Sequence, residues 1–353
     1  MKKIIAVLLC MIILAGGLIG CGNSSSAPST DAAEKKTEAP AAADGKVYEI
    51  KLVTTDAATT VWNVNHLKAI ERIKERTNGC VDIKFHGNGE MVVYAEGVEA
   101  VMSDAALMYF TDPSMWVDYC PVLLTLNAPY LFETHQEVDA FCETELYQEL
   151  LAEAEAKGIH AVSPLISVGT RHILADRPVT CVDDLKGLSI RVPSSAIFTD
   201  TFAALGTNYQ GLPVSDMYNA LETGMVTAVE IVPQNVISLR PDQSMKGDKY
   251  YSLTSHFLNI LGIYCGEGFW NTLPEEYQQI ITEEFAAVSD DSNRKVEEAT
   301  AEEIKTIESY GIKIVEVPDK SSFQEAVAEM NSKMERWDDI SSTVYEIRES
   351  LNK

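Results

Sequence analysis

Alternating and helically spaced apolar residues divide the main body of this chain into predicted strands and helices. Tyr48, Ile50 and Leu52 alternate with polar residues and predict a strand that ends in the polar run 54–56. Apolar residues at helical spacing follow, and a second alternation over 81–85 predicts the next strand. A strand, a helix and a strand in this order favour a βαβ unit, whose two strands are parallel.

Later segments continue the same order of elements. Further strands are predicted over 161–167, 188–192, 226–232 and 260–265, with helices around 202–205 and 217–221. The uninterrupted apolar run 260–265 is typical of a strand that is covered on both faces. The fold class is therefore predicted to be α/β, with open sheets that bind ligands beyond the carboxyl ends of their strands.

The C-terminal third predicts long helices. The run TLPE at 272–275 combines a capping box with an early proline, and an apolar stripe then continues as far as Gly311. A single helix of about 37 residues would be near 55 Å long. Two shorter helices with a break near 289–292 are the alternative. A strand at 312–317 and one more helix, with Phe323 and Trp337 on the same face, complete the body.

The N-terminal sequence predicts a targeting signal followed by a flexible tether. A short basic start precedes the apolar and glycine run 4–20, and the run LIGC at 18–21 matches the bacterial lipobox. Residues 1–20 are therefore predicted to be a lipoprotein signal peptide, and Cys21 the lipidated N-terminus. A plain membrane anchor is the alternative, although its length is marginal for a span. Residues 21–46 are rich in Ser, Ala, Pro and Thr, which predicts a flexible tether.

Charge and cysteine content narrow the possible partners. The chain has 28 basic and 53 acidic residues, a net charge of −25, and loss of Lys2 and Lys3 with the signal would leave −27. No basic cluster is present, so nucleic acid is not an expected partner. An acidic body repels anions, so an anionic ligand would need an enclosed positive group. The five cysteines after Cys21 are expected to be buried as small apolar residues, and a single disulfide between two of them is the alternative.

Motifs of known catalytic chemistry are missing from the sequence. It has no HExxH, GxSxG, P-loop or CxxC pattern, and its six histidines lack metal-site spacing. Neither an enzyme nor a cofactor or metal is therefore expected. Arg191 stands out because it ends a predicted strand just before Pro193. A guanidinium held there can donate two parallel hydrogen bonds to a carboxylate. An ordinary surface arginine is the alternative.

Motifs in a fixed order carry a resemblance over nearly everything from residue 47 onward. The most specific are DDLKGLSIRVP at 183–193 and YNALETG at 218–224, supported by APYLF at 128–132 and GTR at 169–171. With these motifs the chain resembles the extracytoplasmic solute-binding subunit of tripartite ATP-independent periplasmic (TRAP) transporters, the C4-dicarboxylate-binding, DctP-like family.

That resemblance implies a two-lobed clamp with a ligand cleft between the lobes and a long helix that crosses both. Lobe I is expected at 47–168, lobe II at 169–256, the return to lobe I with the bridging helix at 257–296, and the completion of lobe II with the C-terminal helix at 297–353. The implied partners are a small organic-acid ligand and the membrane permease subunits, and the protein is expected to be a monomer.

The resemblance also implies site residues. Arg191 would pair with the ligand's carboxylate and Arg171 would assist it. The backbone of the loop after Arg191 would approach the ligand, and the end of the first strand and the region of Asp112 would vary with substrate. The remaining candidates on the cleft wall are Ser194, Ser195, Glu230, Trp62, Tyr94 and Thr55.

One departure from the family bears on ligand identity. Where the family usually has Asp and Gly, this chain has Thr227 and Ala228, and Ile231 follows Glu230. If Ile231 faces the ligand, that wall is apolar and favours an acid with an apolar portion over a hydroxylated sugar acid. A shift of one residue would place another side chain there.

The predicted function is a solute-binding protein that captures a small organic anion for uptake by a TRAP transporter. It would be anchored by lipid to the outer face of the cytoplasmic membrane, or be periplasmic if an outer membrane exists. The alternatives are the binding component of an ATP-driven importer, the ligand-capture protein of a sensor, and a surface enzyme.

Overall fold

A computed structural model describes residues 46–353, so the predicted signal peptide, Cys21 and most of the tether lie outside the described residues. Within that range the chain forms ten strands: β1 Tyr48–Val53, β2 Val81–His86, β3 Leu107–Thr111, β4 Ile159–Ala161, β5 Ile166–Ala175, β6 Ser189–Val192, β7 Asn208–Gly211, β8 Ala228–Ile231, β9 Tyr250–Gly266 and β10 Lys313–Val315.

The same range forms twelve α-helices: α1 Val61–Arg76, α2 Tyr94–Met102, α3 Val122–Thr125, α4 His135–Cys142, α5 Glu145–Ala156, α6 Ala196–Ala204, α7 Val214–Thr223, α8 Pro233–Leu239, α9 Glu267–Trp270, α10 Glu275–Ser309, α11 Ser321–Asn331 and α12 Trp337–Leu351. Short 3-10 helices lie at Pro113–Trp116, Val182–Leu185 and Pro241–Ser244. None of the helices from residue 46 onward is both long and apolar enough to cross a membrane.

The first sheet begins with the predicted βαβ unit. β1 lies between β2 and β3 and is parallel to both, which confirms the prediction for the first two strands. Between β1 and β2, α1 buries Trp62, Ile70 and Ile73 against the sheet. It stops where Asn78 and Gly79 adopt positive φ, a common way for a helix to end. This packing fixes the carboxyl ends of β1 and β3 side by side.

β9 joins the first sheet to the second. Its last residues pair antiparallel with β3 and β4, whereas its earlier residues pair antiparallel with β5 and parallel with β10. β5 in turn pairs with β8, and the second sheet continues through β6 to β7. The α/β class is as predicted.

The pairing of β5 with β9 is interrupted near its middle. The register shifts between Ser167 and Thr170 and again between Arg171 and Ile173. Gly169 has φ +102° and Ser255, on the neighbouring strand, has φ +48°, so both lie in the left-handed region. The amide of Ser255 donates to Nδ1 of His172 at 3.1 Å. The two strands thus cross between the sheets with a local change of direction.

The prediction of one strand over 161–167 was wrong. The segment divides into β4 and β5, with Pro164 between them. Proline lacks an amide and restricts the residue before it, so the ladder cannot run through this point without a break. The hydroxyl of Ser163 compensates by accepting from the amide of Ile263 at 3.1 Å.

α10 is one continuous helix of 35 residues, as predicted, and is about 52 Å long. Its first half packs into the core beneath the first sheet through Ile281 and Phe285, and Ile307 near its end packs into a core of the second sheet. The helix is uninterrupted at the suspected break, where the hydroxyls of Ser289 and Ser292 donate to carbonyls one turn earlier, at 3.0 and 2.7 Å.

The prediction of a single C-terminal helix containing Phe323 and Trp337 was wrong. The structure has α11 and α12, separated at Arg336, whose φ is +53°. Phe323 packs in one core cluster and Trp337 against another, so the apolar spacing runs through the break although the two helices serve different cores. α12 is fastened by Arg348, which donates to both oxygens of Glu137 at 2.8 Å.

All five described cysteines are free thiols, so no disulfide links them. Four of the five are buried, as the prediction of apolar roles requires, and Cys181 is half-buried.

Candidate functional site

A cavity of about 90 Å³ lies where strands of both sheets end. The carboxyl ends of β1 and β3 supply one side of the wall, and the carboxyl ends of β6 and β8 supply the other. This is where ligands bind in open α/β sheets. The polar residues on the wall are Thr55, Asp56, Tyr94, Tyr109, Thr111, Asp112, Arg171, Arg191, Ser195, Asn235 and Asn259.

The structure brings seven of the predicted site residues together on this wall: Arg191, Arg171, Ser195, Asp112, Trp62, Tyr94 and Thr55. Ser194 is exposed to solvent and is not on the wall. Glu230 is fully buried behind the wall, against Arg171. That these residues contact a ligand stays a prediction.

Arg171 is neutralised by a carboxylate of the protein. Its Nη2 donates to Oε1 of Glu230 at 2.5 Å and to the Glu230 carbonyl at 3.1 Å, and its Nε donates to Oε2. The guanidinium also lies 4.9 Å from the ring centre of Phe198. The two side chains form an ion pair that excludes water, because Glu230 is 0% exposed.

The pKa values around this pair favour the charged carboxylate. Burial alone would raise the pKa of Glu230, but Arg171 and His256 outweigh burial and lower that pKa. Nε2 of His256 lies 3.4 Å from Oε2 of Glu230. Burial lowers the pKa of His256 despite this contact, so the imidazole is neutral at pH 7. Arg171 and Glu230 therefore cancel each other's charge.

Arg191 is buried without such a partner. It is 3% exposed, and its Nε and Nη2 both donate to the carbonyl of Leu212, at 2.9 and 2.7 Å. No carboxylate in residues 46–353 forms an ion pair with it. Burial lowers the pKa of Arg191 to about 10, so the group stays charged at pH 7. A buried cation that bonds only a neutral carbonyl is suited to an incoming anion.

The local fold explains how Arg191 is held. β6 lies between β7 and β8, with Arg191 opposite Gln210 and Val229, and Pro193 ends the strand. The chain continues from β7 into Leu212, whose amide donates to the carbonyl of Val192 at 3.0 Å. The same pairing places the Leu212 carbonyl beside the guanidinium.

Two aspartates lie on the side of the first sheet. Oδ2 of Asp56 accepts from Nε1 of Trp62 at 3.1 Å. Oδ1 of Asp112 accepts from the amide of Ser114 at 3.0 Å and from its hydroxyl. Burial raises the pKa of both aspartates, although Arg171 opposes the shift.

Ile231 faces the cavity, as the apolar interpretation of that segment required. It is one of several apolar side chains on the wall, which are Trp62, Phe110, Met115, Val168, Pro193, Phe198, Val214, Met217, Leu239 and Leu261. Glu230, one residue earlier, points to Arg171 instead. The register is therefore the one in which the wall at Ile231 is apolar.

Two amides on the wall were missed by reasoning from the sequence. Asn235 lies in α8, which begins at Pro233, two residues after the last residue of β8, so a search of the segments that follow strand ends could have found it. Asn259 is harder to find, because it lies within the apolar run of β9 rather than at its end.

Tyr94 connects the two sides of the cavity. Its backbone has φ +54°, and its amide donates to the hydroxyl of Tyr109 at 2.8 Å. Its own hydroxyl accepts from the amide of Val214, at the start of α7, at 3.3 Å. One side chain from the region of the first sheet is thus bonded to backbone beside the second.

Comparison with known proteins gives a consistent picture. The family described as bacterial extracellular solute-binding protein, family 7 (DctP), matches residues 53–337. The C4-dicarboxylate-binding periplasmic protein DctP of Rhodobacter capsulatus is 25% identical over 280 residues, which cover 78% of this chain and 79% of that protein.

Solved structures are similar over most of the chain. A TRAP periplasmic solute binding protein from Fusobacterium nucleatum with bound sn-glycerol-3-phosphate has a TM-score of 0.81 and 27% identity, covering 87% of this chain and 100% of that one. Another, from Desulfovibrio salexigens in complex with diglycerolphosphate, has a TM-score of 0.82 and 27% identity with the same coverage. The predicted resemblance and the two-lobed α/β fold are confirmed.

Proposed function

Since this chain belongs to the bacterial extracellular solute-binding protein family 7, we propose that it captures a small carboxylic acid through Arg191 and delivers it to the membrane subunits of a TRAP transporter. The observation that carries this proposal is the charged, buried guanidinium of Arg191, which no carboxylate of the described chain neutralises. Its planar fork matches two acid oxygens.

Charge favours a carboxylate over a phosphate ester. A phosphate monoester brings about −1.5 to −2 charges at pH 7. The cavity already has Asp56 and Asp112 on its wall and Glu230 behind it, against two arginines. A carboxylate brings a single negative charge and suits this balance better, although a relative in the comparison binds sn-glycerol-3-phosphate.

Cavity size supports a small ligand. One water molecule needs about 10–15 Å³ of cavity volume. The cavity of about 90 Å³ therefore has room for roughly six to nine water-sized groups. Small organic acids have this number of non-hydrogen atoms.

Ligand capture would close the lobes around this cavity. We propose the lobe boundaries given above, with β5, β9 and α10 passing between the lobes and residues 297–353 completing lobe II. The bond between Tyr94 and Val214 belongs to the closed form in this scheme.

The binding experiment follows the melting temperature while carboxylic acids and phosphate esters are added. An acid that binds should raise the melting temperature, and Arg191→Ala should abolish the rise, because loss of a buried charge partner costs about 2–5 kcal/mol, roughly 30-fold or more in affinity. Arg191→Lys should also bind poorly, since lysine lacks the fork.

Arg177→Ala is the matched control, because Arg177 is an exposed arginine paired with the neighbouring Asp176. It should leave the rise unchanged. An undiminished rise in Arg191→Ala would sink the assignment of the anchor.

Lipid anchoring is proposed from the sequence motif at 18–21. Cells expressing the full chain should hold it in the membrane fraction, and Cys21→Ala should release it or leave it uncleaved. Globomycin, which blocks lipoprotein signal cleavage, should cause the precursor to accumulate. A soluble, normally cleaved wild-type chain would contradict the proposal.

A further inference from the structure

The charges around the cavity do not balance for a ligand that is only an acid. Arg171 and Glu230 pair with each other, which leaves Arg191, Asp56 and Asp112 as the charged groups on the cavity wall that form no ion pair within residues 46–353. A carboxylic acid would satisfy Arg191 but would add a negative charge to the same small cavity as two buried carboxyl groups whose pKa values burial already raises. Like charges in an enclosed, poorly solvated site are costly.

The two aspartates come from neighbouring strands. Asp56 lies just beyond β1 and Asp112 just beyond β3, and these strands are parallel partners in the first sheet. Their carboxyl ends lie at the same edge, so both carboxylates approach the cavity from one side. Arg191 enters from the end of β6, in the second sheet.

Within residues 46–353, neither aspartate forms an ion pair with a cationic side chain. Asp56 accepts from the indole of Trp62 and Asp112 accepts from Ser114, and the amides of Asn235 and Asn127 also lower the pKa of Asp56 and of Asp112, respectively; all four groups are neutral. No lysine, arginine or histidine in the described part of the chain forms an ion pair with either one. Arg171 lies near enough to influence both, but Glu230 already occupies it.

We propose that the ligand is a small zwitterion with an apolar body, such as an amino acid, whose carboxylate binds Arg191 and whose ammonium group lies between Asp56 and Asp112. This inference rests on the proposed function, because it assigns the acid group to Arg191. An ammonium group has three donors and can serve two carboxylates at once. Its positive charge supplies the partner that both aspartates lack.

The rest of the wall agrees with this class of ligand. Ile231, Phe198 and Leu261 present apolar surface, against which the hydroxyls of a sugar acid would stay unpaired at a cost. An uncharged or zwitterionic molecule also approaches a body of net charge −25 without long-range repulsion.

Proton exchange gives a separate sign. Burial raises the pKa of Asp56 and of Asp112. At a pH within the titration range of these aspartates, an arriving ammonium lowers their pKa values and binding should release protons, whereas a simple anion raises the pKa values further and should cause proton uptake. Calorimetric titration in buffers of different ionisation enthalpy measures the direction.

The experiment compares matched ligands on the purified chain. Thermal shift and calorimetry measure the binding of the twenty amino acids and of the corresponding acids without the amine, for example L-leucine and 4-methylpentanoate. Galactonate is tested separately as a sugar acid. We expect at least one amino acid to bind, and its deaminated acid to bind roughly 30-fold or more weakly. Asp56→Asn and Asp112→Asn should each weaken binding of the amino acid but not binding of the deaminated acid.

Asp139→Asn is the control for these substitutions. Asp139 is a carboxylate whose pKa burial also raises, and it accepts from Asn293 outside the cavity. It should change stability without changing ligand preference. Equal or tighter binding of the deaminated acid, or failure of every amino acid to bind, overturns the proposal.

The two proposals can fail separately. If an acid without an amine binds and needs Arg191, the zwitterion is excluded but the carboxylate anchor stands. If a ligand binds equally well to Arg191→Ala, the anchor itself is wrong.

Discussion

The two buried arginines of the cavity differ in what neutralises them. Arg171 forms a buried ion pair with Glu230, whereas Arg191 donates, among the residues that the structure describes, only to the carbonyl of Leu212. Removing Glu230 would leave Arg171 as an unpaired buried charge and destabilise the folded chain. Removing Arg191 would, under the proposed function, chiefly weaken the binding of an anionic ligand. The same type of side chain is therefore expected to serve stability on β5 and, under the proposed function, ligand binding on β6.

The largest effect should come from Glu230→Gln. It leaves Arg171 buried without a counter-charge, so the free energy of unfolding should fall by about 3–5 kcal/mol. Arg191→Met should cost less in the ligand-free protein, about 1–3 kcal/mol, because only the carbonyl of Leu212 loses its donor. Urea unfolding of both variants measures the difference.

A double variant sharpens this test. Arg171→Met with Glu230→Gln removes the unpaired charge, and should recover part of the stability that the single change loses. If Arg191→Met proves the more destabilising of the two single changes without ligand, the contrast between the arginines is wrong.

A smaller effect is expected from Tyr94→Phe, which tests whether the two sides of the cavity are held together near Arg191. Val214 loses its hydrogen-bond acceptor, so the closed form should lose about 0.5–1.5 kcal/mol, and ligand release should be roughly two- to tenfold faster. Stopped-flow dissociation measures this rate.

Tyr218→Phe is the matched change. Its hydroxyl donates to the carbonyl of Leu239 at 2.9 Å, and both residues belong to the second-sheet side. It should lower stability by a similar amount and leave the release rate unchanged. Equal acceleration in both variants would show that Tyr94 has no special part in closure.

The smallest effects should appear in the pH dependence of stability, where Glu230 and Asp56 have opposite signs. The folded pKa of Glu230 is lowered below 4.5, so its contribution is present above that pH and is lost as the pH falls through the folded pKa. The stability difference between wild type and Glu230→Gln should therefore shrink in acid.

Asp56 should behave in the reverse way. Its folded pKa is raised above 3.8 by burial, so the wild type loses stability as the pH rises through the folded value. Asp56→Asn removes that loss, so the stability of this variant relative to the wild type should increase as the pH rises over the same range. Unfolding midpoints at a series of pH values measure both variants, and matching trends would contradict the assignment of opposite environments.

Much of the fold was predictable because its signals are local. The alternation at 48–52 and 81–85 and the helical stripe of α10 each describe one face of one element. The break at Arg336 was not predictable, since Met334 and Trp337 keep the helical spacing while the backbone turns. The division of β4 from β5 had a signal in Pro164, which the apolar run concealed.

The site was predictable where it lies at strand ends. Arg191, Asp112 and Thr55 follow or end strands, and the structure places all three on the cavity wall. The ion pair of Glu230 with Arg171 required knowledge that β5 and β8 are neighbours. No pattern within either strand announces that pairing, and Asn259 was hidden for a similar reason.

The paired crossing of β5 and β9 has a mechanical consequence. One strand alone can twist as well as bend, but two hydrogen-bonded strands beside a long helix resist torsion, and the left-handed residues Gly169 and Ser255 localise the bend. The motion between lobes would then have close to a single degree of freedom. A permease would need to distinguish only two values of one angle, and not the chemical identity of what the protein carries.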